Sequence, residues 1–161
     1  MRNKVIFLDR DGILNKELGD YVTQPQFFEL NEGCIPFLLA SIDMGYKLVV
    51  ITNQGGIAKG LYSHEDLHAI HSTMKAQFLK RGIRFNDILY CPHHPVKGLC
   101  LCRKPGSLLI EKASHRFSVN KSDSFMVGDK MRDVEAAEKA GIRGFCVPAN
   151  SSLNAYIKYL K

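Results

Sequence analysis

Two aspartates one residue apart, Asp9 and Asp11, follow a short apolar run near the start of the chain and precede Gly12. The apolar run 4–8 predicts a buried strand of a parallel sheet. In open α/β sheets the ligand crevice lies beyond the carboxyl ends of the strands, so both carboxylates are expected there. Two carboxylates this close repel each other and lose water together, a cost that a cation or a catalytic role offsets. A solvated Asp-x-Asp-Gly turn is the alternative.

Apolar segments with strand and helix patterns alternate along the rest of the chain, and residues 14–32 between them predict a long loop over the crevice. Ser63 and Asp66 match a capping box at the start of one helix. Buried strands are predicted at 48–51, 88–90, 125–127 and 144–147, and helices at 35–42, from Ser63 to Gly82, at 108–117 and at 134–140. This alternation predicts an α/β fold, a Rossmann-like parallel sheet with helices on both faces.

Length and composition indicate one globular domain over 1–161. No apolar run approaches the ~20 residues of a membrane span, and the first run is too short for a signal peptide, so we expect a cytoplasmic protein. The net charge of +6 is spread without a basic block and suits an anionic partner of any kind. Cys34 and Cys146 lie in apolar segments and are expected in the core.

Polar residues also follow the second and fourth predicted strands. Thr52 ends the second strand, Asp129 follows the fourth, and Lys104 lies between them in the sequence. Three carboxylates at one crevice, those of Asp9, Asp11 and Asp129, would form an oxygen-rich site for Mg²⁺. The Thr52 hydroxyl and the Lys104 ammonium supply what a phosphoryl group requires. Taken singly, these residues suit a strand end, a surface lysine and a turn, and their joint occurrence favours the site.

Three cysteines, Cys91, Cys100 and Cys102, lie within twelve residues, which favours metal binding over disulfides in a reducing compartment. With His93 they offer three thiolates and one imidazole, a donor set suited to tetrahedral structural zinc. The one-residue spacings are tighter than those of common zinc fingers. The neighbouring His94 is the alternative imidazole, and a cluster of unliganded cysteines is the alternative to a zinc site.

A second histidine motif, His64-Glu65-x-x-His68, matches the H-E-x-x-H of zinc peptidases, and His71 extends the same helical face. These residues open a helix directly after its Ser63 cap, opposite the apolar stripe. Nothing else in the sequence supplies a peptidase scaffold, so an ordinary helix face is expected.

Together the motifs resemble the haloacid dehalogenase superfamily of phosphatases over essentially the whole chain. Within it they are most similar to the histidinol-phosphatase-related branch, and there to the bacterial D,D-heptose 1,7-bisphosphate phosphatases, which lack a large cap domain. The segments that carry the resemblance are 9–12, 52–60, 91–95, 102–105 and 128–130. The chain departs from the family at Gly55, where serine is frequent, and in the short zinc loop between His93 and Cys100.

The resemblance implies a two-step mechanism in which Asp9 attacks phosphorus and forms a phospho-aspartyl intermediate. Asp11 would protonate the leaving group and then activate water, while its backbone carbonyl joins the carboxylates of Asp9 and Asp129 in holding Mg²⁺. Thr52 and Lys104 would hold the transferring phosphoryl group.

The resemblance also implies that Arg103 recognises substrate, that Lys130 and Asp133 support the metal loop, and that His93 is the fourth zinc ligand. The implied substrate contacts are Glu17, Leu18, Gly19, Asp20, Thr52, Asn53, Gln54, Gly55, Arg103 and Lys104. The implied reaction is Mg²⁺-dependent removal of the 7-phosphate from D-glycero-D-manno-heptose 1,7-bisphosphate, a small phosphorylated sugar, in lipopolysaccharide precursor synthesis. The resemblance suggests a monomer.

Three alternatives share some of these features. A histidinol-phosphate phosphatase has the same catalytic and zinc motifs, but segments 56–60 and 93–95 favour the sugar bisphosphate. A DNA 3′-phosphatase would require a clustered basic face, which the sequence lacks. A zinc-stabilised nucleic-acid-binding module would explain the charge and the cysteines but not the three aspartates, so we expect neither nucleic acid nor a membrane as partner.

Overall fold

The computed structural model, which describes residues 2–161, is built on a five-stranded parallel sheet with the strand order β3-β2-β1-β4-β5. The strands are β1 Val5–Leu8, β2 Lys47–Asn53, β3 Asp87–Cys91, β4 Phe125–Gly128 and β5 Arg143–Cys146. The helices are α1 Ile35–Asp43, α2 His64–Leu79, α3 Leu108–Arg116 and α4 Met131–Lys139. The predicted α/β fold is confirmed.

The sheet is covered on both faces because successive side chains of a strand point to opposite sides. In β1, Ile6 and Leu8 pack into a core with α1 and α2, whereas Val5 and Phe7 pack into a second core with α3 and α4. All four side chains of β1 are fully buried. Because β1 is the middle strand, its carboxyl end lies at the centre of the sheet edge, and Asp9 and Asp11 follow it there.

Two local predictions differ from the structure. The helix predicted from 134 begins three residues earlier, at Met131. The prediction missed this first turn because residues 131–133 show no apolar periodicity. Cys146 is exposed, so its expected place in the core was wrong. It ends β5, an edge strand of the sheet, where one side has no neighbouring strand. Cys34 is buried, as predicted.

The connection between β1 and α1 contains only short 3₁₀ turns at Pro25–Phe27 and Glu32–Cys34. Its first part lies over the carboxyl end of the sheet and lines the cavity there. In residues 2–161 no separate cap domain interrupts the sheet and helices. None of the helices in the described part of the chain is long and apolar enough to cross a membrane.

Candidate active site

A cavity of about 320 Å³ opens at the carboxyl ends of β1, β2 and β4. The parallel register aligns these strand ends, so residues far apart in the sequence face one space. The lining residues are Asp9, Arg10, Asp11, Glu17, Gly19, Asp20, Tyr21, Val22, Asn53, Gln54, Gly55, Arg103, Asp129, Lys130 and Arg132.

Asp9 shares a buried ion cluster with Lys104 and Asp133. The Lys104 ammonium lies 2.8 Å from Asp9 Oδ1 and 2.6 Å from Asp133 Oδ1, and it donates to the Ile51 carbonyl at 2.7 Å. The cluster contains two carboxylates and one ammonium, a surplus of negative charge. Burial raises the pKa of Asp9 to about 7, Asp133 adds to this increase, and Lys104 opposes it. A cation beside Asp9 would reverse the increase.

Asp133 is held in this cluster by the start of α4 and by a glycine. The Lys130 amide donates to Asp133 Oδ2 at 3.0 Å. A Cβ at Gly128 would lie 2.3 Å from the Asp133 side chain, so only glycine permits this approach. Asp133 therefore pairs with Lys104 in addition to bonding within the loop that it was predicted to support.

The carboxylates of Asp9, Asp129 and Asp133 bring oxygen atoms within 4.8 Å of one another. Gly12, at φ +86°, allows Asp129 to lie there, because a Cβ at Gly12 would be 2.7 Å from Asp129 Oδ2. Asp133 does not line the cavity, whereas Asp9 and Asp129 do, so these two carboxylates are the ones that can face a cation there. Hard oxygen donors with surplus negative charge fit Mg²⁺.

The carboxylate of Asp11 is turned away from this acidic group. Arg10 donates to Asp11 Oδ1 at 2.9 Å, Asn15 donates to the same oxygen at 3.0 Å, and Gln54 donates to Oδ2 at 3.0 Å. Although burial opposes the change, Arg10 and the two amide donors lower the pKa of Asp11. This placement agrees with the expectation that the Asp11 carboxylate is not itself a metal ligand.

Three of the predicted substrate and catalytic residues do not line the cavity. Leu18 is 66% exposed and lies outside it. Thr52 and Lys104 are buried beneath its floor, where the Thr52 hydroxyl accepts from Gln54 Nε2 at 2.9 Å. Tyr21, Val22 and Arg132 line the cavity without having been predicted, because neither periodicity nor a motif distinguishes them.

The glycine at position 55, where relatives of the predicted family often carry serine, has a physical reason in this chain. A Cβ at Gly55 would lie 3.0 Å from Arg103 Nη1 and 3.0 Å from a ring carbon of His94. The absence of a side chain therefore lets Arg103 approach the cavity closely. Arg103 is held there by its bond to the His93 carbonyl at 3.1 Å.

The predicted zinc ligands form a tight cluster after β3. The three sulfur atoms of Cys91, Cys100 and Cys102 are 3.1 to 3.7 Å apart, and His93 Nδ1 lies 3.5 Å from Cys91 Sγ and 3.2 Å from Cys102 Sγ. Sulfur ligands about 2.3 Å from a tetrahedral zinc would be about 3.8 Å apart. His94 Nδ1 instead accepts from the Val96 amide. Burial and the neighbouring thiols raise the pKa of Cys91, and zinc would favour its thiolate form.

The histidine face of α2 divides into exposed and buried parts. His64 and His68 are exposed and lie 2.8 and 3.4 Å from the Tyr90 hydroxyl. His71 is only 6% exposed, so its expected place on a face opposite the apolar stripe was wrong. It faces Arg10, whose guanidinium lies 3.3 Å away, because α2 packs against the loop that follows β1.

The comparisons with known proteins agree with this geometry. A family model described as "HAD-hyrolase-like" matches residues 101–158. The D-glycero-alpha-D-manno-heptose-1,7-bisphosphate 7-phosphatase of Photorhabdus laumondii is 39% identical over 145 residues, which cover 86% of this chain and 79% of that protein. The beta counterpart of Vibrio cholerae is 39% identical over 148 residues, 88% of this chain and 79% of that protein.

Solved structures show the same similarity. The D,D-heptose 1,7-bisphosphate phosphatase from B. bronchiseptica, complexed with magnesium and phosphate, superposes with a TM-score of 0.83 at 33% identity. The alignment covers 89% of this chain and 79% of that one.

Proposed function

The chain belongs to the haloacid dehalogenase-like family of heptose-1,7-bisphosphate 7-phosphatases, and from this membership we propose that it is a Mg²⁺-dependent phosphatase that removes the 7-phosphate of D-glycero-D-manno-heptose 1,7-bisphosphate. The observation that carries the proposal is the position of Asp9. This residue lies on the cavity floor against Lys104, with Asp129 beside it. The Photorhabdus laumondii relative is named for the alpha anomer and the Vibrio cholerae relative for the beta anomer, and the proposal covers the phosphate removal common to both.

Asp9 is placed to attack phosphorus, because its carboxylate faces the cavity while Lys104 restrains Oδ1. The Asp9–phosphorus bond forms as the bond to the sugar oxygen breaks, which divides hydrolysis into two displacements. Asp11 gives a proton to the leaving alkoxide and later takes one from the attacking water. Lys104 stabilises the phosphoryl charge from beneath the cavity floor, where its ammonium contacts Asp9, and Thr52 is assigned to the same phosphoryl group.

Asp9, Asp129 and the Asp11 carbonyl are the groups that would hold Mg²⁺. When bound, the ion would neutralise phosphate charge, as magnesium does in phosphoryl transfer generally. A cation held by Asp9 would also oppose the raised pKa of that residue and favour the carboxylate form, which is the nucleophile.

Substrate recognition is assigned to the cations at the cavity mouth. Arg103, Lys130 and Arg132 all line it, and a bisphosphate offers a second anionic group for charge-assisted hydrogen bonds. Histidinol phosphate carries an amine and an imidazole and gains little from these residues. The cytoplasmic location and the monomeric state belong to the same proposal.

We expect Arg103→Ala to lower kcat/KM for the heptose bisphosphate by roughly ten- to a hundredfold, because a charge-assisted contact contributes about 1.5 to 3 kcal/mol. Steady-state kinetics with both heptose anomers and with histidinol phosphate measure this effect. Arg116→Ala, which removes an exposed arginine paired with Asp87 outside the cavity, is the matched control. A parent enzyme that prefers histidinol phosphate, or that is insensitive to Arg103→Ala, would contradict the substrate while leaving the phosphatase chemistry intact.

Zinc is proposed to brace the loop that carries Arg103 and Lys104. Cys102 directly precedes Arg103, and the Asn53 side chain links this segment to β2 by accepting from the Lys104 amide at 3.0 Å and donating to its carbonyl at 3.1 Å. A structural ion at the four-ligand cluster supplies no reacting group. It would hold active-site cations in place.

Purified protein is expected to contain about one zinc per chain, and Cys100→Ser combined with Cys102→Ser should remove it. Elemental analysis gives the metal content, and hydrogen exchange should show the loop after β3 loosening before the sheet. Cys146→Ser, which changes an exposed cysteine outside the cluster, should retain zinc. Zinc that persists in the double variant would assign the metal to other ligands, such as those on the His64 and His68 face.

A further inference from the structure

Arg10 lies between the two aspartates and has no part in the two displacements, yet its side chain is only 1% exposed. Its Nε and Nη2 atoms lie 3.3 and 2.9 Å from Asp11 Oδ1, and its Nη1 atom lies 3.3 Å from Nε2 of His71. A buried guanidinium with one carboxylate partner is costly unless its other donors are satisfied. The contact with His71 therefore helps to hold Arg10 in this position.

The hydrogen-bond roles at this contact follow from chemistry. Arginine only donates, so Nε2 of His71 must offer its lone pair and the ring proton must lie on Nδ1. Burial and the adjacent Arg10 charge lower the pKa of His71 to about 3, which keeps the ring neutral. His71 lies within the sixteen-residue helix α2, whose side chains at Ile70 and Met74 are fully buried. One end of the guanidinium fork is thus anchored to a packed helix and the other to Asp11.

We propose that Arg10, held by His71, is a positioning residue that orients the Asp11 carboxyl group for its acid and base roles. The inference rests on the proposed phosphatase function, since it concerns how the acid and base of that site is held. Asn15 and Gln54 also bind Asp11, but both belong to loops. The connection ties Asp11 to a regular helix through Arg10 and His71, which are 61 residues apart in the sequence.

The two steps of the reaction make different demands on Asp11, and this difference provides the test. When the sugar leaves, the phosphorus–oxygen bond breaks and the alkoxide takes the Asp11 proton. When 4-nitrophenyl phosphate reacts, nitrophenolate leaves without a proton. In the second step the water oxygen bonds to phosphorus and gives a proton to Asp11, the Asp9–phosphorus bond breaks, and inorganic phosphate leaves with the Asp9 carboxylate restored. Poor orientation of Asp11 therefore slows both steps for the sugar but only the second for the aryl ester.

The central variant is His71→Leu, which removes the acceptor and introduces an apolar side chain of similar bulk. We expect kcat for the heptose bisphosphate to fall about ten- to a hundredfold with KM little changed, because small displacements of a catalytic group are costly. With 4-nitrophenyl phosphate, rapid mixing should show an undiminished first release of nitrophenolate followed by slowed steady-state turnover. His71→Gln, whose side-chain oxygen can accept from Arg10, should restore most of the lost rate.

Two further variants separate this role from general damage to the fold. Arg10→Lys keeps the charge beside Asp11 but lacks the fork that reaches His71, so it should reproduce the His71→Leu pattern even where His71→Leu does not fold. His68→Leu changes a histidine on the same helix that contacts Tyr90 rather than Arg10, and it should behave as the parent.

The outcomes distinguish the inference from the function on which it rests. The positioning role alone would be overturned if His71→Leu and Arg10→Lys lost the first release of nitrophenolate as much as the steady-state turnover. It would also be overturned if His71→Gln recovered none of the lost rate. A folded parent enzyme that hydrolyses neither substrate would overturn the proposed function itself.

Discussion

Replacing Asp9 by asparagine is expected to lower phosphatase turnover by about 10⁴-fold or more without unfolding the protein. The amide is nearly isosteric but is a far poorer nucleophile, and loss of a nucleophile removes most of the chemical rate enhancement. Its side-chain oxygen can still accept from the Arg10 amide and from Lys104, as Asp9 Oδ1 does at 2.8 Å in both cases. Hydrolysis and thermal melting measured side by side check this result.

The effect of Asp9→Asn on the stability of the fold should depend on pH. The pKa of Asp9 is raised in the folded state, mainly by burial, to about 7. The contribution of this residue to stability is therefore present at low pH and is lost as the pH rises towards 7. In Mg²⁺-free buffer at pH 8, Asp9→Asn should melt at the same temperature as the parent or higher, because Lys104 then pairs with one carboxylate instead of two.

Asp43→Asn changes an exposed aspartate at the end of α1 and serves as the matched control, with activity and melting temperature expected to equal those of the parent. Near-normal turnover by folded Asp9→Asn would exclude Asp9 as the nucleophile. A lower melting temperature at pH 8 would contradict the surplus buried charge.

Lys104→Met is expected to remove activity and also to destabilise the fold. The change leaves Asp9 and Asp133 buried without their shared cation, and breaking a buried pair in this way typically costs about 3 to 5 kcal/mol. For a domain of this size that corresponds to roughly 6 to 20 °C in melting temperature. Loss of a preorganised charge at the transferring phosphoryl group lowers kcat by about 10²- to 10³-fold.

Thermal melting of Lys104→Met beside Lys130→Met isolates the effect of burial. Lys130 also lies close to an aspartate, with its ammonium 3.2 Å from Asp129, but its side chain is 51% exposed. Exposed ion pairs contribute roughly 0 to 1 kcal/mol, so Lys130→Met should melt close to the parent. Similar melting temperatures for the two variants would show that Lys104 does not neutralise a buried acidic pair.

The sequence by itself was sufficient for features that depend on a few neighbouring residues. The apolar run before Asp9 predicts a strand because burial on both faces requires continuous apolar side chains, and β1 is fully buried. The Ser63 and Asp66 capping box is present because both of its hydrogen bonds close within one helical turn. The α/β class followed from the alternation of such local patterns.

Only the tertiary structure decided contacts between distant residues, since these depend on strand order and on how each helix packs. Periodicity alone placed His71 on the face opposite the apolar stripe, whereas the packing of α2 brings it to Arg10. The choice between His93 and His94 likewise depends on the path of the loop, which turns His93 Nδ1 towards the sulfur atoms. The shared pairing of Lys104 with Asp9 and Asp133 requires β2 and β4 to lie on either side of β1. A sequence pattern indicates which segments form strands and helices, but not which distant residues these elements bring together.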